Sequence, residues 1–186
     1  MRIAQAAFTL VELMVVLAII AVLAVLASGW NDAVANNRRA GAINEFVAAI
    51  NQARSEAISR GVTVTICKSA NPNAATPACG AAGGWESGWI IFADPTNVGT
   101  IDAAEQPPLK AHSAISVLTM TGRPNVGDRM SFNPGGTMIL AAAANFVRFC
   151  DSRGFTNASG VVARDVEISI GGRFTTTTPA PGGTCP

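Results

Sequence analysis

Glu12 is the only ionisable side chain between Phe8 and Ala27, in a stretch otherwise built from Leu, Val, Ile, Ala and Met with one threonine, Thr9. In lipid, a carboxylate within such a run costs a few kcal/mol, about 3 on insertion scales, so its default reading is functional and calls for a partner of opposite charge. The second set of residues able to do chemistry is Cys67, Cys79, Cys150 and Cys185. None of the short Cys-x-x-Cys spacings of a zinc site occurs among them, and two disulfides formed in an oxidising compartment are expected. The short loop Ser69–Ala78 favours Cys67–Cys79, and a Cys150–Cys185 bond would tether a tail that lacks packing of its own. Sequence alone does not choose among the three connectivities open to four cysteines.

Other chemistry is weak. His112 is the sole histidine, and a lone histidine is more often a satisfied surface residue than a catalyst. No Gly-x-Ser-x-Gly occurs, and Gly80–Gly84 lacks the Gly-Lys-Ser/Thr ending of a phosphate-binding loop. Asp94, Asn97 and Asp102 do not match a calcium-loop spacing and read as an Asx-rich turn. Trp85 and Trp89 flank a Gly-rich loop as buried anchors rather than a ligand platform. No enzyme activity, cofactor or metal site is expected. With a net charge of +1, bulk electrostatics does not mark the chain as a polyanion binder.

The elements that carry these residues follow from pattern. Phe8 to Ala27 is 20 residues without Pro or Gly, about 30 Å as a helix and matched to a bilayer core. A signal peptide would show a shorter apolar run, a more basic start and a small-residue cleavage site after the run. From Ser28 to about Arg60 the pattern turns amphipathic, with Ile43, Phe46, Val47, Ile50, Ala53, Ala57 and Ile58 on one stripe and Arg38, Arg39, Glu45 and Arg54 among the polar face. Gly61 is the expected stop, and Gly29 and Gly41 are possible weak points in one long helix. Beyond Gly61, strand-like segments alternate with turn clusters. The candidates are Val62–Cys67, Trp89–Ala93, Ala114–Thr119, Met130–Phe132, Thr137–Leu140, Asn145–Cys150 and Val161–Ile170. The tail TTTTPAPGGTCP reads as poor in helix and sheet propensity.

The run FTLVELMVVLAIIAVLAVLA resembles the N-terminal signal of type IV pilins and pseudopilins. The resemblance implies a leader of residues 1–7, cleavage by a prepilin peptidase between Ala7 and Phe8, and N-methylation of Phe8. It implies that Glu12 pairs with the terminal amine of a neighbouring subunit and sets register. Ala7 stands where that family has Gly. The segments VTVTICKS, WESGWIIFADPTNVGTID, MSFNPGGT, FVRFCDSRG and EISIGGR resemble, in order, the FimT/FimU and GspH group of minor pilins and pseudopilins, and the cysteines favour the type IV pilus branch.

That group implies an α+β, pilin-like fold: leader 1–7, transmembrane or filament-core helix 8–28, amphipathic continuation 29–60, and an antiparallel β-rich, sandwich-like head 61–186. The function implied is a minor pilin acting in pilus initiation or at the tip. The alternatives are a GspH-like pseudopilin of type II secretion and a FimT-like DNA-binding minor pilin. The last would use Arg148, Arg153, Arg164 and Arg173, although Thr175 replaces the second arginine of the family's Gly-Arg-x-Arg motif. The implied partners are other major and minor pilins through the N-terminal helix, the prepilin peptidase, the inner membrane before assembly, and DNA in the third reading. The implied location is a single pass in the inner membrane with a periplasmic head, then a pilus or pseudopilus.

Overall fold

The structure is a computed structural model; it describes residues 9–80, 83–123, 126–139 and 145–185, and within these the side chains of 25–29 are outside the described set. Helix α1 runs Leu10–Arg60. Thr9 caps it: the Glu12 amide donates to Thr9 Oγ1 at 3.2 Å, answering one of the amides that a helix start leaves without partners. At the other end Gly61 has φ +66° and its amide donates to the Ala57 carbonyl at 3.0 Å, the left-handed stop that glycine adopts without a Cβ penalty. The helix continues through both Gly29 and Gly41.

The chain divides into two compact units, residues 1–38 and 39–186. In the first, the large apolar side chains described from Leu10 to Leu23 are exposed. In the second, Ala42, Ile43, Phe46, Ala49, Ile50, Ala53 and Ala57 form the buried stripe of α1. The steps of three and four residues keep them on one face. Phe46 is its centre, edge-on to Trp85, Trp89 and Phe149 at centroid distances of 5.3, 5.5 and 5.7 Å.

Two antiparallel four-stranded sheets supply the rest of that core. The strands are β1 (Val64–Lys68), β2 (Trp89–Ala93), β3 (Lys110–His112), β4 (Leu118–Arg123), β5 (Arg129–Phe132), β6 (Phe146–Asp151), β9 (Arg164–Ile168) and β10 (Phe174–Thr177), and a small hairpin joins β7 (Thr156–Asn157) to β8 (Gly160–Val161). The first sheet is ordered β3-β2-β1-β5 and the second β10-β9-β6-β4. Alternation along β1 sends Val64 and Ile66 into the main core and Cys67 into a second cluster with Ile90 and Phe92. The first sheet is therefore apolar on both faces. The outer cluster is closed by Cys79, Ile101 and Ala111.

The disulfides are Cys67–Cys79, with Cα atoms 5.6 Å apart, and Cys150–Cys185, at 6.0 Å. The first holds the 69–80 loop against β1, where the Gly80 amide donates to the Lys68 carbonyl at 2.9 Å. The second brings the tail to the end of β6.

Several expected elements shift. The segment Ala114–Thr119 yields a strand only from Leu118, because the Ile115 amide donates to the Glu86 carbonyl and leaves the ladder. Of Thr137–Leu140, Met138 makes a single bridge to Phe132, and Leu140 lies outside the described residues. Val161–Ile170 is two strands separated by Val162 and Ala163, and Ile170, past the end of β9, is exposed. Strand β3 carries no apolar alternation and has no counterpart among the sequence candidates. The tail is not wholly irregular, since Phe174–Thr177 pairs with β9. Threonine is a good strand former once a partner strand is present. Ile58, expected on the buried stripe, is 54% exposed; it lies over the Gly136 backbone, where an added Cβ would sit 2.7 Å from Ile58 Cδ1.

The two ends of the sequence-predicted stripe should therefore respond unequally. Phe46→Ala is expected to lower the head's unfolding free energy by about 3–5 kcal/mol, and Ile58→Ala by under about 1 kcal/mol, read by chemical denaturation of the full-length chain in detergent. Equal losses would contradict a core centred on Phe46.

Candidate assembly site

Glu12 sits in the first turn of α1, three residues after the Thr9 cap. Its spacing from Thr9 is that of a capping box, of which the Thr9 half is formed. A negative charge in a first turn also meets the positive end of the helix dipole, worth about 0.3–1 kcal/mol at an exposed position. Local physics thus accounts for an acid at this position but not for a bilayer-length apolar run around it. Ala7 and Phe8, the expected cleavage and methylation positions, lie outside the described residues. Val15, Ala18, Ile19, Val22 and Leu23 line an open apolar groove along the helix. Among the described residues no helix is long and apolar enough to cross a membrane. The apolar run of the sequence also includes Phe8 and the side chains of 25–27, which are outside that set.

In the head, the four arginines expected for DNA are mostly engaged internally. Arg148 makes a bidentate pair with Asp165, Nε to Oδ1 and Nη2 to Oδ2, both at 2.8 Å. Its guanidinium also lies over Phe146 and Phe155 at 5.3 and 5.1 Å. The hydrogen bond to Asp165 pushes Arg148 above its ordinary pKa, with burial acting the other way. Arg153 donates to Asp151 through Nε at 3.0 Å and Nη2 at 2.6 Å. Arg164 Nη1 donates to the carbonyls of Val161, Val162 and Ala163. The side chains of Arg148 and Arg153 are only 13% and 15% exposed. Arg173 is exposed, in the turn between β9 and β10.

The group that sequence reasoning misses is Arg39–Asp151–Arg153. Arg39 Nη1 reaches from α1 to Asp151 Oδ2 at 2.9 Å, and side-chain exposures are 7% and 4%. Residue type puts Arg39 on the polar face of the helix, yet it stands three residues before Ala42, which aligns it with the buried stripe. That spacing is the signal by which it could have been found. Arg153 hydrogen bonding holds Asp151 below the ordinary carboxylate pKa, against burial, with Arg39 adding attraction. Burial holds Arg39 below its own ordinary value.

His112 stacks on Trp89 with centroids 4.0 Å apart and its Nε2 faces Glu45 at 3.3 Å. Asp94 is buried and accepts from the amides of Val98 and Gly99 and from the Thr65 hydroxyl, while Asp102 caps the short turn Ala103–Glu105. Both are turn-forming roles. No metal-holding group of His, Cys, Asp and Glu occurs among the described residues.

Comparison with known proteins meets this geometry at both ends of the chain. The family described as prokaryotic N-terminal methylation motif matches residues 2–28, and the family described as type II transport protein GspH matches residues 42–172. Sequence comparison with curated proteins finds no significant relative. Among solved structures, the type IV minor pilin FimU of Pseudomonas aeruginosa matches in two crystal forms. One has 21% identity, covers 76% of this chain and 89% of that one, with a TM-score of 0.52; the other has 21% identity, covers 74% and 90%, with a TM-score of 0.50. The fold is thus shared with FimU. A helix that opens on a methylation motif and closes a two-sheet antiparallel head defines a pilin-like subunit of the minor pilin and pseudopilin class. Within that class, the chain belongs to the GspH family.

The Asp151 cluster yields a pH dependence with a definite sign. Because the folded carboxyl titrates below its ordinary value of 3.8, it contributes stability that is complete above that value and is lost as pH falls through the folded one. Asp151→Asn is expected to cost on the order of 3 kcal/mol at neutral pH and to flatten the acid limb of a plot of Tm against pH. An unchanged acid limb would show that Asp151 does not carry it.

Proposed function

We propose that the chain is a minor pilin of a type IV pilus, acting in pilus initiation or at the tip. The observation that carries this is the lone carboxylate of Glu12, held at the capped start of α1, inside a 20-residue apolar run that falls within the methylation-motif match. In this reading residues 1–7 are a leader that the prepilin peptidase removes after Ala7, and Phe8 becomes the methylated N-terminus. Residues 8–28 hold the subunit in the inner membrane as a single span and later form part of the filament core. Residues 29–60 continue the helix, with Arg39 onward belonging to the head unit, and 61–186 complete the head outside the cytoplasm. The two disulfides support an oxidising location. Assembly exchanges lipid contacts for helix contacts. A terminal amine and a carboxylate meeting in that apolar setting attract far more strongly than in water, and either one alone is costly, so the pair selects one axial register. Other major and minor pilins are the partners.

A GspH-like pseudopilin of type II secretion is the second reading, favoured by the family match itself. It uses the same helix in the same way. Loss of pili against loss of protein secretion in a deletion strain separates the two. DNA binding draws less support, because Arg148, Arg153 and Arg164 are held by internal partners.

Glu12→Ala is expected to leave membrane insertion intact and to deplete the subunit from sheared filaments at least tenfold, scored by immunoblot of membrane and filament fractions. Mass spectrometry of the wild-type N-terminus should find methylated Phe8. Normal incorporation of Glu12→Ala, or an intact leader, would falsify the assembly role of this helix.

A further inference from the structure

Of the three tryptophans, Trp85 and Trp89 are buried in the head core, whereas Trp30 is 72% exposed. Trp30 makes no aromatic or cation–π contact among the described residues. It stands directly after the apolar run and its Ser28–Gly29 end, and is followed by Asn31, Asp32, Asn36, Asn37 and Arg38. An indole with one apolar edge and one N–H donor fits the boundary between acyl chains and headgroups, where tryptophan is enriched in membrane proteins. The axial distance agrees: 22 residues from Phe8 to Trp30 rise about 33 Å, slightly more than the hydrocarbon thickness.

The angular position carries a second message. Trp30 lies 18 residues beyond Glu12, five complete turns at 3.6 residues per turn, so both side chains project from one face of α1. Ile19 and Leu23, which line the apolar groove, fall between them within about 20° of that face. The face therefore has an acid at one end, an apolar stripe in the middle and an indole at the other.

We propose that Trp30 is an interfacial anchor that sets the depth of the unassembled subunit by seating its indole at the outer acyl–headgroup boundary. The inference rests on the membrane-inserted pilin reading and adds a lipid contact to it. Fixing depth at Trp30 places Glu12 near the opposite boundary, at the level where an incoming N-terminal amine is presented. The occupant of the Trp30 site is lipid before assembly. Because Trp30 shares the Glu12 face, it leaves lipid when that face joins a neighbouring helix.

The test uses the full-length chain in phosphatidylethanolamine–phosphatidylglycerol vesicles whose acyl chains carry bromine either close to the headgroup or near the bilayer centre. Emission from Trp30 should be quenched more by the shallow bromines than by the deep ones. Trp85 and Trp89, buried in protein, supply a constant background, and Trp30→Phe should abolish the lipid-dependent quenching. Flotation of the same samples reports insertion separately. If the protein floats with the vesicles but its emission ignores bromine, or deep bromines quench more strongly, the anchor is wrong while the pilin reading stands. Should it fail to float, both fall together.

Discussion

The head cannot close without the helix stripe from Ala42 to Ala57. Each of its two sheets has an apolar face, and a sheet with such a face has to bury it against another layer. Phe46 and Ile50 are wholly buried, and Phe46 is the side chain of the helix that meets Trp85, Trp89 and Phe149. The alanines at 42, 49, 53 and 57 are buried on the same face. The stripe mixes large and small side chains in one buried layer, as close-packed interiors do.

This dependence explains why the polar fastenings occur where they do. Arg39 ties α1 to Asp151 at the end of β6, and the neighbouring Cys150 joins the same strand to the tail. A buried ion pair is not by itself a strong source of stability, because desolvation offsets much of its attraction. Its geometry does exclude alternatives: sliding the helix by one turn against the sheet would separate the Arg39 guanidinium from Asp151, which Arg153 alone would then hold. At the second sheet's free edge, the Glu86 carboxylate accepts the Met120 amide of β4 at 2.7 Å. The edge donor is thereby answered within the chain, which discourages pairing with another strand.

The same helix obeys a different constraint before it reaches the head. In an apolar setting every backbone amide and carbonyl must be satisfied within the segment, and a helix does this. Thr9 answers one of the amides that a helix start leaves over. Among the described residues the Glu12 carboxylate has no partner of opposite charge, and in an apolar stretch such a charge calls for one. Among the described residues of the head, the buried carboxylates of Asp94, Asp151 and Asp165 are each answered by neighbours.

The sequence by itself determined the features that depend on local order. The long helix, its stop at Gly61, the stripe through Phe46, the span of β2 and the isolated acid at Glu12 all follow from residue type and spacing, which are properties of a few consecutive turns. The pilin-like class was legible for the same reason, because its signal is one continuous segment. Tertiary structure alone decided that Arg39 turns inward to Asp151, that Ile58 is left at the rim, and that the threonines of the tail become β10; it also formed the two disulfides that the short loop and the unpacked tail favoured. Arg39 and Ile58 are settled by partners far away in the chain, Asp151 and the Gly136 backbone, at separations that no local pattern encodes; the Cys67–Cys79 bond and the β9–β10 pairing are short-range, yet each needs a formed strand to receive its partner.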